Sequence, residues 1–363
     1  MVGHPPECVA AVPSTILATA NRIGDLFRIT GFVCMWCGSI VLVGLPVMNA
    51  RCEELLTLVK RIDLPGVNGR IDHMAFDAET HRLYVAALGN NSVEVIDLDR
   101  GMVIKSLGDF AEPQGVLLLA DKHELIVTNG ESRHVDVYDT RSLQRVRQIA
   151  LKEDNDNIRY DDKTKLAYIG CGAGNDSALC VFDTTQHVKV QEIALSGHPE
   201  SFQLEQAGVR IFVNVPTSGS VEVIDRTKGK VEAIWPISAK KNFPMALDEK
   251  HRRLFIGTRD PAKLLVLDTE TGKTIASLDN VGDVDDIFYI QDNGNIYVSG
   301  GEGFIYIFQQ QDADRYVLRS QTPTVKGART SLYVPLKQQL ILAVPSNKNE
   351  PAQVWVMTST GKQ

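Results

Sequence analysis

Acidic side chains recur along this chain at multiples of about 42 residues, each just before a short apolar run. Asp285 and Asp286 precede such a run in the stretch VGDVDDIFYI. Equivalent places upstream hold Asp72, Asp156 and Glu200. Adjacent carboxylates raise each other's cost of ionisation, so they need cations, protons or water beside them. Carboxylate oxygens also bind hard cations and hydrogen-bond to polar organic molecules, so these residues are candidates for a cation or polar-ligand site as well as for a solvated surface.

The segments around these acids are copies of one repeat. Three clear copies are RLYVAALGNNSVEVIDLDRGMVIKSL (82–107), RIFVNVPTSGSVEVIDRTKGKVEAIWPI (210–237) and RLFIGTRDPAKLLVLDTETGKTIASL (253–278). Each holds three alternating apolar strands separated by polar turns, and one more short strand stands upstream. This pattern predicts four antiparallel strands per unit. A four-stranded unit with a period of about 42 residues is typical of a β-propeller blade.

The repeat occurs seven times. Its copies align on one position of the second strand: Tyr84, Ile126, Tyr168, Phe212, Phe255, Tyr297 and Ile341. The last copy has only three strands, and LTLVKRIDLPG (56–66) matches the outer strands of the other copies. We therefore predict an all-β, seven-bladed propeller of four-stranded antiparallel blades, in which residues 56–64 join the blade built from residues 328–358. This 3+1 closure would leave no free sheet edge in the ring.

The innermost strands of a propeller line its central channel, so the residues that begin them converge at one mouth. The first column of these residues contains Asp72, Gln114, Asp156, Glu200, Phe243, Asp285 and Arg329, and the next contains His73, Gly115, Asn157, Ser201, Pro244, Asp286 and Thr330. From them and their neighbours we predict a ligand-binding set of Asp72, His73, Gln114, Asp156, Asn157, Arg159, His198, Glu200, Asn242, Asp285, Asp286 and Arg329.

Three residues of this set have more than one interpretation. Arg159 follows Asn157 and should point into the channel two residues deeper, where it would contact a ligand or balance the charge of Asp156. His73 and His198 are candidate acid/base catalysts because imidazole titrates near neutral pH. His198 stands in a Gly-His-Pro stretch, however, where a histidine is more often a turn residue than a catalyst.

The polar mouth has three competing interpretations. It could be a water-filled channel end without chemistry. It could hold Ca²⁺ or another divalent cation through Asp72, Asp156, Glu200 and Asp285, since oxygen ligands suit such ions. It could also hold a polar organic ligand between the acids and His73 on one side and Arg329 on the other.

The stretches YVAALGNNSVEVIDLDRG and IVTNGESRHVDVYDTRS resemble the blade motif of YVTN-type (YncE-like) seven-bladed propellers of bacterial envelopes. The resemblance extends from about residue 55 to the end of the chain, and Val127, Thr128 and Asn129 keep part of the Tyr-Val-Thr-Asn consensus. It implies the repeat fold and an envelope location. It implies no single activity, because this fold carries enzymes, binders and scaffolds.

The first 50 residues differ from the repeats. Residues 32–48 are uncharged and apolar and follow Arg22 and Arg28, which predicts a signal peptide or an N-terminal membrane anchor. The propeller domain is then residues 51–363. We expect export to the periplasm or the exterior, with membrane contact only through this segment.

Charge and cysteine content restrict the function classes. The net charge of −7 disfavours nucleic-acid binding, which basic surfaces mediate. Only Cys52, Cys171 and Cys180 follow the leader, too few for a disulfide scaffold. Cys171 and Cys180 could pair across a hairpin in an oxidising compartment, although two small buried thiols are the favoured interpretation.

The leading functional hypothesis is an exported binding or scaffold protein whose partner is a small polar ligand or an envelope protein. The alternative is a metal-dependent lactonase or lyase that uses the same channel mouth, with His73 or His198 as acid or base. The sequence contains no nucleophile elbow, Walker motif or paired-histidine zinc motif. Nucleic-acid binding is a further, disfavoured alternative.

Overall fold

Twenty-eight β-strands, numbered here in chain order, form seven four-stranded antiparallel sheets. They lie in residues 55–359, the part of the chain that the computed structural model describes. Each sheet is one blade, and in six of the seven the strands are paired in chain order. The innermost strand is the shortest of its blade in four blades. The predicted all-β, seven-bladed propeller is therefore confirmed.

The first three blades follow directly on one another. Blade 1 contains β2 (Met74–Asp77), β3 (Arg82–Ala87), β4 (Ser92–Asp97) and β5 (Met102–Leu107). Blade 2 contains β6 (Pro113–Leu119), β7 (Glu124–Asn129), β8 (His134–Asp139) and β9 (Gln144–Ala150). Blade 3 contains β10 (Ile158–Asp161), β11 (Leu166–Cys171), β12 (Ala178–Asp183) and β13 (Val188–Ala194).

The next three blades repeat this order. Blade 4 contains β14 (Phe202–Leu204), β15 (Arg210–Val215), β16 (Ser220–Asp225) and β17 (Lys230–Pro236). Blade 5 contains β18 (Lys240–Asp248), β19 (Arg253–Asp260), β20 (Ala262–Asp268) and β21 (Thr274–Asp279). Blade 6 contains β22 (Val284–Ile290), β23 (Asn295–Gly300), β24 (Phe304–Gln310) and β25 (Tyr316–Pro323). Short 3-10 turns lie at Leu88–Asn90, Ala120–Lys122, Gly174–Asp176 and Pro335–Lys337.

Blade 7 closes the ring with both ends of the described chain. It contains β26 (Ser331–Val334), β27 (Gln339–Val344), β28 (Ala352–Ser359) and, outermost, β1 (Leu56–Leu64). β1 pairs antiparallel with β28, from Leu56 opposite Ser359 to Leu64 opposite Ala352. The predicted 3+1 closure by residues 56–64 is therefore confirmed.

Hydrophobic contacts between blades form the core. The second strands are nearly all buried because both faces of a blade pack against neighbouring blades, and β3 and β27 show this most clearly. The aromatic position on which the repeats align is fully buried at Tyr84, Phe212 and Phe255. Burying one such side chain contributes about 1.5–3 kcal/mol, so this column stabilises the ring in every blade that carries it.

The Asp that ends the third strand of a repeat closes a turn. Asp97 Oδ1 accepts a hydrogen bond from the N–H of Arg100 at 2.9 Å, and Asp225 and Asp268 make equivalent bonds. Gly101 then adopts a φ of +69°, which glycine enters without steric cost. The recurring Val-Ile-Asp and Gly of the sequence therefore specify the hairpin to the outer strand.

Basic side chains at or near the start of the second strands tie neighbouring blades together. Each donates a hydrogen bond to a backbone carbonyl of a turn in the next blade. The four are Arg82 to Thr140 (3.0 Å), Lys122 to Thr184 (2.9 Å), Arg210 to Thr269 (2.5 Å) and Arg253 to Ala313 (2.9 Å). Such bonds satisfy turn carbonyls that no strand partner reaches.

Cys171 and Cys180 form a disulfide, with their Cα atoms 6.2 Å apart. The favoured expectation of two free thiols is therefore wrong. The cysteines lie on β11 and β12, where Ile169 is opposite Cys180 and Cys171 is opposite Ala178. Because the residue opposite Cys180 is two positions from Cys171, the two side chains lie diagonally on one face of the hairpin.

The predicted leader, residues 1–50, lies outside the described residues. Within residues 55–359, no helix is long and apolar enough to cross a bilayer.

Candidate functional site

The first predicted column converges on one cavity. A cavity of about 330 Å³ at one end of the channel is lined by all seven of its members: Asp72, Gln114, Asp156, Glu200, Phe243, Asp285 and Arg329. Each comes from a different blade. His73, Asn157, His198 and Asp286 of the predicted set also line it. We call this cavity the channel mouth.

Two arginines hold Asp285 at the mouth. Arg259 Nη2 donates to Asp285 Oδ1 at 2.6 Å, and Arg329 Nε lies 3.3 Å from Asp285 Oδ2. Both arginines also approach Asp283 Oδ1, Arg329 at 2.7 Å and Arg259 at 3.5 Å. The Arg259 guanidinium lies 3.9 Å from the ring centroid of Phe243, a cation–π contact. Blades 5, 6 and 7 therefore share one network of two cations and two carboxylates.

Asp286 faces a different environment from Asp285. Its Oδ2 accepts a hydrogen bond from the backbone N–H of Ser331 at 2.7 Å. Burial raises the pKa of Asp286 to about 7, while His73 acts in the opposite direction. The pairing of β22 with β23 shifts in register between Val284 and Asp286, so Asp285 lies at an irregularity of the strand. The two carboxylates that are adjacent in sequence therefore have different partners, although both line the mouth.

His198 forms an acid-paired histidine on the opposite side of the mouth. Its Nδ1 lies 2.7 Å from the carbonyl oxygen of Gly172 and 3.3 Å from Asp154 Oδ2, and its Nε2 lies 3.9 Å from Asp156 Oδ2. Burial by itself lowers the pKa of His198, but the contacts with Asp156, Gly172 and Asp154 outweigh it and raise the pKa to about 9. His198 is therefore a cation near neutral pH.

Blade 1 contributes a smaller charged cluster. Asp72 Oδ2 accepts from Arg70 at 3.2 Å, and Asp72 Oδ1 lies 3.5 Å from His73 Nε2. Burial raises the pKa of Asp72 to about 6, with further contributions from Asp156 and Asp285. Burial lowers the pKa of His73, but its acidic neighbours raise it above the ordinary value overall.

Glu200 and Asn157 keep hydrogen-bonding capacity at the mouth. No side-chain hydrogen bond or ion pair engages the Glu200 carboxyl among the described residues, and burial together with Asp156 and Asp285 raises its pKa to about 8. The Asn157 side chain is buried, and its Oδ1 has no hydrogen-bond partner in the described part of the chain. Buried polar groups are normally satisfied, so these two groups are available to a ligand or to water.

Asn242 and Arg159 lie away from the mouth. Asn242 Nδ2 donates to Asn214 Oδ1 and to the carbonyl of Ser220, so its side chain supports blade 4 and lines neither channel cavity. Arg159 lines a second channel cavity of about 310 Å³. His73, Ser201 and Asp286 line both cavities, which places the second one directly next to the mouth.

Five charged residues of this region lie outside the predicted set: Arg70, Glu112, Asp154, Arg259 and Asp283. Four of them stand two residues before the first column. His198 stands at the same place before Glu200, so comparing this position across the aligned repeats would have predicted them. Arg259 is the next-to-last residue of a second strand, at a position where the other repeats have Leu, Gly or Pro. Its charge at that position could have identified it from the sequence.

The chain turns into the channel through left-handed residues in several blades. Glu112, Asp154 and Asp283 have φ values of 54°, 56° and 52°. Non-glycine residues adopt this conformation uncommonly, and such residues cluster at functional sites. Here the turn directs acidic side chains toward the mouth.

The described residues contain no group of three or more His, Cys, Asp or Glu side chains placed to hold a metal ion. The four carboxylates of the divalent-cation hypothesis, Asp72, Asp156, Glu200 and Asp285, therefore do not share one ion position. Arginines and histidines instead neutralise most of them.

Comparisons with known proteins bear on the fold. No protein-family model and no curated protein matches the sequence. A chain of Kuenenia stuttgartiensis Hydrazine Synthase superposes with a TM-score of 0.70 and 18% identity, covering 82% of this chain and 99% of that one. A chain from a crystal structure of the Mitotic Checkpoint Complex superposes with a TM-score of 0.70 and 16% identity, covering 90% and 99%. The likeness establishes the fold alone.

Proposed function

We propose that this protein is an exported propeller of the YVTN type that binds a small polar ligand at the channel mouth. The observation that carries the proposal is the meeting of charged side chains from separate blades around one cavity of about 330 Å³. Burying charge is costly unless each group is paired or hydrogen-bonded, so packing alone does not favour such a lining.

The charge balance of the mouth indicates which ligands suit it. Its lining holds three arginines against seven acids, namely Asp72, Glu112, Asp154, Asp156, Glu200, Asp285 and Asp286. The raised pKa of Glu200, about 8, keeps that carboxyl largely protonated at neutral pH, so it can donate as well as accept a hydrogen bond. A neutral or zwitterionic molecule with several donors and acceptors, such as a sugar or an amino acid, matches this lining.

The state of His198 favours binding over catalysis. A general base at neutral pH needs a neutral imidazole, whereas the acid contacts of His198 raise its pKa to about 9. The lactonase or lyase alternative would need this proton removed if His198 were its general base. The enzymatic alternative can be tested in the same experiment, because the ligand screen described below includes lactones.

Three features support export. The apolar residues 32–48 are of the kind that directs export, the Cys171–Cys180 disulfide is of the kind that persists in oxidising compartments, and the blade motif resembles envelope propellers. Alkaline phosphatase fused after Gln363 should be active, since it folds only outside the cytoplasm, and removing residues 1–50 should abolish its activity. Equal activity of both fusions would contradict export.

Ligand-dependent stabilisation tests the binding function. The melting temperature of the full-length protein is measured with sugars, amino acids, lactones and divalent cations. A mouth ligand should raise it in the parent, and Glu200→Gln should reduce that shift, because stabilisation by a ligand depends on its dissociation constant. Glu131→Gln, an exposed control, should leave the shift intact. Equal shifts in parent and Glu200→Gln would contradict a site at the mouth, and lactone turnover would favour the enzymatic alternative.

A further inference from the structure

The second channel cavity is chemically unlike the mouth. Its volume is about 310 Å³, and much of its wall is apolar, including Val116, Met245, Phe288 and Leu332. Its charged lining is limited to His73, Arg159 and Asp286. We call this cavity the inner chamber.

Arg159 is the cation of the inner chamber without an acidic partner. Its Nη1 donates to the carbonyl of Ile158 at 2.9 Å, and its guanidinium lies 5.7 Å from the ring centroid of Phe202. No carboxylate oxygen of residues 55–359 lies within the 4.0 Å that defines an ion pair. The arginines of the mouth, in contrast, each have one: Arg70 with Asp72, and Arg259 and Arg329 with Asp285.

An unpaired guanidinium in such a place is costly. Arg159 is only partly accessible, and burial lowers its pKa below the ordinary value. Asp286 and Asp156 act on it from beyond ion-pair distance. A planar guanidinium with free N–H groups is well suited to a carboxylate, which it binds through two parallel hydrogen bonds.

We propose that the inner chamber binds the carboxylate of a small monocarboxylic acid with an apolar body, anchored on Arg159. The apolar wall receives the hydrocarbon part, and the hydroxyl of Ser201 and the amide of Gln203 line the same space. A single negative charge is specified, because one cation is unpaired and the nearby Asp286 opposes a dianion such as phosphate. Arg159 lines the inner chamber and not the mouth, so this proposal does not rest on the polar ligand proposed there.

Calorimetric titration of the full-length protein tests the proposal with hexanoate as the probe. Hexanol and hexylamine share its chain length but lack the carboxylate, and inorganic phosphate lacks the apolar body. Hexanoate should bind about tenfold or more tightly than the other three, as expected for a charge-assisted bidentate contact. Weaker or equal binding of hexanoate in the parent overturns the proposal.

Variants then assign the contact to Arg159. Arg159→Gln should weaken hexanoate binding about tenfold while leaving hexanol binding within about twofold, and Arg159→Lys should give an intermediate loss, because it keeps the charge without the fork. Arg147→Gln on the exposed outer strand of blade 2 is the matched control and should change neither. Unchanged hexanoate binding in Arg159→Gln overturns the proposal. If Arg159→Gln does not fold, two other results test the proposal: the weaker hexanoate binding expected for Arg159→Lys, and the preference of the parent for hexanoate over the other three probes.

Discussion

Arg259 donates a hydrogen bond to Asp285 across two blades, with 2.6 Å between Nη2 and Oδ1. The same guanidinium donates from Nε to the carbonyl of Val284 at 2.9 Å, so it contacts both the backbone and the side chain of β22. This explains how two adjacent acids are accommodated at the start of a buried strand. Asp285 is neutralised by arginines from blades 5 and 7, while Asp286 is held by a backbone N–H.

Replacing Asp285 should therefore destabilise the ring. Asp285→Asn leaves Arg259 and Arg329 with Asp283 as their remaining acid, and we expect a loss of about 1–3 kcal/mol in the free energy of unfolding. Chemical denaturation measures it. Asp279→Asn is the control, since Asp279 is 93% exposed in its pair with Lys263 and such pairs contribute little. A gain in stability for Asp285→Asn would mean that repulsion between the acids dominates.

Stability should fall as the pH rises from about 5 to about 9. Burial and Asp156 raise the pKa of Glu200 from 4.5 to about 8. Between these pH values the folded state binds more protons than the unfolded state, so the folded state loses stability as the pH rises. His198 has the same sign: its stabilising contribution is complete below 6.5 and is lost as the pH rises through about 9.

Glu200→Gln should reduce this dependence on pH. The variant cannot ionise, so its stability relative to the parent should increase between pH 5 and pH 9 in urea denaturation. Glu131→Gln should follow the parent. A constant difference between Glu200→Gln and the parent across this range would show that the carboxyl does not titrate as described.

The closing strand should contribute strongly to stability through its buried side chains. Leu64 on β1 is fully buried among residues of blades 1 and 7, and Leu64→Ala should cost about 2–5 kcal/mol. Val59 on the same strand is 55% exposed, so Val59→Ala should change stability by about 0.5 kcal/mol or less. Deleting residues up to Leu64 should lower the melting temperature of the whole ring, and an unchanged melt would contradict the closure.

The disulfide should be present in the purified protein. A non-reduced digest should contain the cross-linked peptides of Cys171 and Cys180, which mass spectrometry detects. Replacing both cysteines by Ser should cost about 2–3 kcal/mol, as expected for a short closed loop. Recovery of both residues as free thiols from protein kept under oxidising conditions would contradict the pairing.

Much of the candidate site was predictable because it follows from repetition. Aligning the repeats places Gln114 and Glu200 in one column, and the ring brings that column to one mouth. Asn242 is the exception: it stands one residue before the column member Phe243, and its side chain donates to Asn214 and to the carbonyl of Ser220 in blade 4. Arg259 reaches the mouth from near the end of a second strand. The predicted columns contain only residues that begin the innermost strands, so they could not include it.

The sequence by itself determined the blade count, the strand order and the closure by β1. These depend on a period-2 apolar pattern and on turn residues such as Asp97 and Gly101, which act over a few residues. Only the tertiary structure decided how charges pair. Whether Asp285 meets Arg259 and Arg329, and Arg159 meets no carboxylate, depends on distances between different blades. Ring geometry and side-chain rotamers set those distances, and no local pattern encodes them.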